Sequence, residues 1–280
     1  MSEAELIFLG TGGGRFVTIT QKRWTGGIRF KYGALNMHLD PGPGALIHSI
    51  EQGLDPQKIN SIMVSHSHPD HYTDAEILIE AMTRGTTKKR GTLVGPHSVL
   101  FGNDVCEAAI SQYHQSIPES VIEAKVGDEF NLEDATISVT KAVHSDPDGV
   151  GFKFNLPTTG TIGYTSDTQF FDELPSFYSG SRLLIICAMR PRNAPWPYHL
   201  STEDVVKIVK AVKPEVAIIT HFGAKMIFSN PFGEASFIKQ QTGVQTVAAV
   251  DGMRVKFGKE ILILTKGRSQ SELSHFYPKA

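Results

Sequence analysis

Within six residues the chain places His66, His68, Asp70 and His71 in the order H-x-H-x-D-H, directly after the apolar run SIMV. Imidazole and carboxylate are ligand types that suit Zn²⁺ and similar borderline cations. His66 and His68 are two apart, so an extended backbone turns both rings to one side, where they can grip one ion together. Pro69 then bends the chain and frees Asp70 and His71 to face a second position. The alternative is a polar turn whose histidines cap the next helix. Four ligand-type residues at this spacing argue against it.

The elements that must position this cluster are mostly short strands. ELIFLG, ALNMHLD, SIMVSH, TLVGP, TISVTKAVH, VGFKFNL, TIGYTSD, LLIICAM, VAIITHFG and TVAAVDGMRVKFG all read as strands bounded by turn residues. Ala75, Leu78, Ile79 and Met82 recur at helical spacing after a capping-box pair, Thr73 and Glu76. Ser201 and Asp204 repeat the device before VVKIVKAV, which Pro214 stops. A third helix is expected through DVCEAAISQYH. The glycine-rich LGTGGGRF follows a strand, but RFVTITQ does not read as the helix a dinucleotide-binding turn requires. A tight turn near the metal edge is expected instead, with amides that can touch an anionic group. With no internal repeat, linker or composition break, residues 1–280 read as one α/β domain of packed sheets with helices outside.

Composition excludes some functions. The chain has 280 residues, 40% of them hydrophobic, and a formal charge of −2. That charge gives no general pull toward nucleic acid or anionic lipid. The densest basic stretch, Arg84, Lys88, Lys89 and Arg90, reads as a solvated loop. Cys106 and Cys187 read as buried free thiols. The apolar run near Met1 is too short for a signal peptide, and no stretch approaches the ~20 apolar residues of a membrane span. A cytoplasmic protein with no membrane association is expected.

HSHPDH resembles the signature of the metallo-β-lactamase superfamily, whose fold is an αβ/βα sandwich of two mixed β-sheets flanked by helices, with metals along one sheet edge. The family's other motifs have matches in order: Asp40 in LDPGPG, His144 in VTKAVHSD, Asp167 in GYTSDT and His221 in IITHFG. Each closes an expected strand. The similarity runs from about Leu6 to Phe257 and leaves out the tail GRSQSELSHFYPKA; Ser65 stands where the family often has Thr. The resemblance implies that His66, His68 and His144 hold one metal, that Asp70, His71 and His221 hold a second, and that Asp167 bridges them. Asp40 would orient a ligand or the nucleophilic water. Two divalent ions are implied, Zn²⁺ first, with Mn or Fe as alternatives. Such a pair ~3.5–4 Å apart lowers the pKa of a shared water, so a bridging hydroxide and hydrolysis are expected.

Single residues narrow the branch. Flavodiiron relatives carry Glu where this chain has His68, and true β-lactamases of the superfamily lack the carboxylate supplied by Asp167. Phosphodiesterases and nucleases remain, with thioesterases of the glyoxalase II kind as the alternative. His199 in YHLSTED is similar in placement to an extra histidine of the tRNA 3′-processing endonuclease branch. An imidazole there can protonate a leaving oxygen, or it can simply cap the helix near Ser201. His199, Asp70 and Asp40 are therefore the candidate catalytic residues. Arg190 and Arg192 in the same loop can clamp a phosphate, and Trp196 can stack on a base or wall the pocket. Only 22 residues separate His144 from Asp167, too few for the tRNA-binding arm that bacterial and archaeal forms of that endonuclease insert there. A small anionic phosphodiester is the expected substrate and structured tRNA a poor one. Relatives often form homodimers. A non-catalytic, metal-binding member of the fold is the last alternative, and the intact ligand set argues against it.

Overall fold

A computed structural model describes residues 3–264; the tail from Gly267 to Ala280 lies outside them. Eight strands form one sheet: β1 (Ala4–Gly10), β2 (Thr25–Tyr32), β3 (Leu35–Leu39), β4 (Ser61–Met63), β5 (Thr92–Gly95), β6 (Ser120–Glu123), β14 (Arg254–Phe257) and β15 (Ile261–Leu264). Their spatial order is β15-β14-β1-β2-β3-β4-β5-β6. Seven form the other: β7 (Glu129–Leu132), β8 (Ala135–Lys141), β9 (Val150–Leu156), β10 (Gly160–Tyr164), β11 (Ser181–Cys187), β12 (Val216–Thr220) and β13 (Gln245–Ala248). Their order is β13-β12-β11-β10-β9-β8-β7. Both sheets are mixed.

Alternation drives the packing. Leu6, Phe8, Phe30 and Met37 of the first sheet share one buried cluster with Ile137, Phe152, Phe154 and Ile185 of the second, and the Phe30 and Phe154 rings stack 5.3 Å apart. The opposite face of each sheet carries helices. Helix Ala75–Met82 buries Leu78, Ile79 and Met82 against Ile62 and Leu93. Helix Thr202–Val212 buries Val205, Ile208 and Val209 against Leu184, Ile186 and Ile219. Four layers result, as the sandwich predicts. No helix among the described residues is long and apolar enough to cross a membrane.

Strand direction is what gathers the site. β3 and β4 run parallel, and β1 is antiparallel to β2, itself antiparallel to β3. In the second sheet β10, β11 and β12 are parallel, and β8 shares their direction because two antiparallel steps through β9 restore it. Asp40, His66, His144, Asp167 and His221 therefore all follow the carboxyl ends of strands that point the same way within their sheet. Open sheets place their sites on that edge.

Several local readings change. RFVTITQ does form a helix, Arg15–Thr20. Its Thr18 and Thr20 hydroxyls bond back to the Gly14 and Phe16 carbonyls at 2.9 and 2.8 Å, a way for β-branched residues to settle in a helix. In DVCEAAISQYH only Gln112 onward is helical, in Gln112–Ser116. The Asn103 side-chain Oδ1 accepts from the Val105 and Cys106 amides and ties the preceding stretch into a turn. The Thr73–Glu76 capping box is absent. Thr73 follows the short helix Pro69–Tyr72 and its hydroxyl bonds to the Pro69 carbonyl, while Glu76 accepts from the Ser111 amide. The Ser201–Asp204 box is present. TVAAVDGMRVKFG is two strands in two sheets, parted at Asp251-Gly252 (Gly252 φ 80). Asp251 accepts from Thr11 and Trp24 there, tying the turn to the glycine-rich loop.

Candidate metal centre

Five of the six histidines expected in the site converge tightly. His68 Nδ1 lies 3.1 Å from His66 Nε2 and 3.0 Å from His144 Nε2. His71 Nε2 lies 3.1 Å from His221 Nε2, which is 3.3 Å from Asp70 Oδ2. Asp167 Oδ1 lies 3.1 Å from His221 Nδ1. Donor atoms group within 4.8 Å as His66, His68 and His144, and again as Asp70, His71 and His221. Asp167 joins two further groups, with His66 and His71 and with His144 and His199. It stands between the two sets, as a bridging carboxylate must.

The remaining ring nitrogens are fixed from outside. His71 Nδ1 lies 2.9 Å from Asp40 Oδ2 and His144 Nδ1 lies 3.0 Å from the Tyr198 carbonyl, so each donates there and turns Nε2 inward. Asp40 is itself held by the Ser65 amide at 2.7 Å, the Ser65 hydroxyl at 2.8 Å and the Tyr164 hydroxyl at 2.6 Å. Asp40, Ser166 and His221 adopt positive φ of 51°, 54° and 59°. Such strain in non-glycine residues is held by surrounding structure and gathers at functional sites.

The glycine-rich turn packs against this edge. The Gly14 amide donates to Asp70 Oδ2 at 2.7 Å. At Gly13 an added Cβ would sit 2.0 Å from His221 Nε2, so no other residue fits without moving that ring. The turn packs on the candidate ligands Asp70 and His221, at the sheet edge where the sequence placed it.

Protonation fits a cation. Burial holds His66 and His68 below the ordinary imidazole range, and His144 down at about 4. All three are thus neutral near pH 7, the form that ligates. His71 differs: against burial, Asp40 and Asp70 raise it to about 10. In the metal-free chain a proton supplies positive charge between those carboxylates, a charge a bound cation would replace. Asp167 Oδ1 and His221 Nδ1, buried and close together, form no hydrogen bond at all. Buried polar atoms left without a partner are what a bound cation would satisfy.

The loop after β11 is built differently from expectation. His199 Nδ1 lies 2.8 Å from the Pro197 carbonyl, and its Nε2 lies 3.5 Å from Asp167 Oδ2. Asp167 raises its pKa against the opposing effect of burial. The arginines, however, are occupied elsewhere. Arg190 donates to the Ala194 carbonyl at 2.7 Å and stacks on Trp196, 5.4 Å from its ring centre. Arg192 pairs at 3.2 Å with buried Glu234 and covers Phe237. Trp196 is 56% exposed. Arg90 bonds to the Gln57 and Met82 carbonyls, while Lys88 and Lys89 are exposed. Cys187 is buried, but Cys106 is only partly so and reaches the Ser67 hydroxyl at 3.2 Å. Sequence reasoning passed over Tyr164 and Asp146, both buried against the ligand loops. Only the Asp two residues after His144 in HSD hinted at the second.

Residues 36–222 match the β-lactamase superfamily domain. The chain belongs to that superfamily. With it comes membership of the metal-dependent hydrolases. An uncharacterised protein of Methanocaldococcus jannaschii, MJ1374, is 44% identical over 254 residues, covering 90% of this chain and 94% of that one. Ribonuclease Z of Thermococcus sibiricus is 37% identical over 92 residues, covering 33% of this chain and 29% of that enzyme. Among solved structures, a diphosphatase of the PhnP family superposes with a TM-score of 0.66 at 18% identity, covering 91% of this chain and 98% of that one.

Proposed function

We propose that this chain is a dinuclear phosphodiesterase acting on a small or nucleotide-like phosphodiester. His66, His68 and His144 would hold one divalent ion, Asp70, His71 and His221 the other, and Asp167 would serve both. Zn²⁺ suits this donor set, with Mn²⁺ or Fe²⁺ as alternatives. When bound, the ions supply Lewis acidity and an activated water. The chain's own residues orient and protonate. Asp40 and the Tyr198 carbonyl set the tautomers of His71 and His144, and the Gly14 amide fixes Asp70.

One observation carries the phosphodiester reading: the two-point fixing of His199. With Nδ1–H committed to Pro197, Nε2 is the nitrogen left facing the cluster beside Asp167. That is where a general acid would deliver a proton to a departing alkoxide, a poor leaving group that gains from one. The similarity to ribonuclease Z over a third of the chain supports the same branch. The interval between His144 and Asp167 is filled by β9, β10 and their turn, so structured tRNA should be a poor substrate.

A thioesterase is the second reading, favoured by the engagement of Arg190 and Arg192 within the fold. A thiolate departs readily without cationic help. The metal-loaded protein should therefore be assayed on bis-p-nitrophenyl phosphate, a 2′,3′-cyclic nucleotide and S-lactoylglutathione. Hydrolysis of the phosphodiesters with little thioester cleavage is expected. Efficient thioester cleavage with both phosphodiesters ignored would overturn the branch, and no turnover of any would favour a non-catalytic protein.

A further inference from the structure

We propose that Asp146 is a positioning residue for the metal centre: it fixes the peptide between His66 and His68 and adds negative charge beside a histidine group whose one carboxylate, Asp167, is shared with the second group. The proposal rests on the metal-binding reading of that site and not on the choice of substrate.

Asp146 is 3% exposed. Its Oδ2 accepts three hydrogen bonds, from the Ser67 amide at 2.8 Å, the Ser67 hydroxyl at 2.8 Å and the Ser98 hydroxyl at 2.7 Å. Its Oδ1 accepts from the Asp148 amide at 3.1 Å. All four donors are neutral, and among the described residues no Lys, Arg or His forms an ion pair with it. A buried carboxylate without a cationic partner is costly. The neutral donors offset part of that cost, and a nearby dication would offset more.

The donors show what Asp146 fixes. Ser67 is the residue between His66 and His68, and both its amide and its hydroxyl point to one oxygen. That clamp sets the local backbone, which in turn holds the two ligating nitrogens 3.1 Å apart. The turn that carries Asp146 is pressed on the same loop. An added Cβ at Gly149 would lie 3.3 Å from the His66 Cβ, and the Val150 amide donates to the Ser65 carbonyl at 3.0 Å. Ser98, in helix His97–Leu100, anchors the carboxylate from the far side. Three segments thus meet on one carboxylate, and the segment held most firmly is the one that bears the ligands. Apart from Asp167, which the second group shares, His66, His68 and His144 are neutral imidazoles, and the charge of Asp146 adds to that of Asp167 at His68.

The test is Zn²⁺ competition against a chelator on the full chain, with melting of the metal-free protein alongside. Loss of a partner that orients a metal ligand typically costs 10–100-fold in affinity, so Asp146→Ala should weaken binding about 10–100-fold. Asp146→Asn keeps an acceptor for Ser67 but removes the charge, and should fall between parent and alanine variant with a parent-like metal-free melting point. Ser98→Ala removes only the distal anchor and should bind as the parent does. If Asp146→Ala does not fold, Asp146→Asn decides. Parent-like affinity in Asp146→Asn and any folded Asp146→Ala overturns the proposal, as does an equal weakening in Ser98→Ala. A parent chain that binds no Zn²⁺ removes the metal centre itself and this proposal with it.

Discussion

His199 Nε2 lies 3.5 Å from Asp167 Oδ2, while its Nδ1 is held 2.8 Å from the Pro197 carbonyl. The ring is thus fixed at both nitrogens, one by backbone and one by a carboxylate of the ligand cluster. His199→Ala should keep the parent's metal content and lower kcat ~10²–10⁴-fold, the usual worth of a positioned acid–base group. A variant with a near-normal rate would reduce His199 to a loop-shaping residue. A variant that loses metal would make it a ligand, in the group with His144 and Asp167.

The Gly13 backbone and the His221 ring leave no space between them. Gly13→Ala would put a methyl 2.0 Å from His221 Nε2, so the ring must swing away from Asp70 and His71. The variant should fold, because the disturbance is confined to the sheet edge, yet elemental analysis should find metal content reduced by about half. Full metal content with parent activity would show that the loop yields without disturbing His221.

The candidate set was legible in the sequence because Asp40, His66, His144, Asp167 and His221 each stand within three residues of a strand end, and His68, Asp70 and His71 crowd directly behind His66. A short apolar run announces where the chain reaches the sheet edge, and strand direction brings the ligand-type residue that soon follows to that edge. Asp40, His144, Asp167 and His221 all follow that rule. Gly13 and Asp146 do not. Their partners, His221 and Ser67, are 208 and 79 residues distant in sequence, and only the closing of two sheets brings them together. The arginines failed for the opposite reason. Arg190 and Arg192 lie close to His199 in the chain, but the loop folds them back onto Ala194 and Glu234. The helix at Arg15–Thr20 was hidden by its run of β-branched residues, and helix Pro231–Thr242 was passed over although it covers the second sheet.

His38 should make the metal-free protein sensitive to acid. Burial, with Arg29 adding to it against the Gly26 carbonyl and Asp40, holds its pKa down at about 3. In the unfolded chain it titrates near 6.5. Between those values the unfolded chain binds a proton that the folded chain does not, so stability falls as pH drops below about 6.5. At pH 5 this group alone should cost about 2 kcal/mol relative to pH 7.5. Denaturant unfolding in a chelator at both pH values should show a smaller loss for His38→Gln than for the parent. Equal losses would mean that His38 is not held neutral.

The most direct measurement is metal stoichiometry. Seven residues, His66, His68, Asp70, His71, His144, Asp167 and His221, would surround two ions. Elemental analysis of the purified, reconstituted chain should find two divalent metals per polypeptide, and Asp167→Ala should lose at least one. One metal or none in the parent after reconstitution, or two retained in Asp167→Ala, would contradict the shared dinuclear centre.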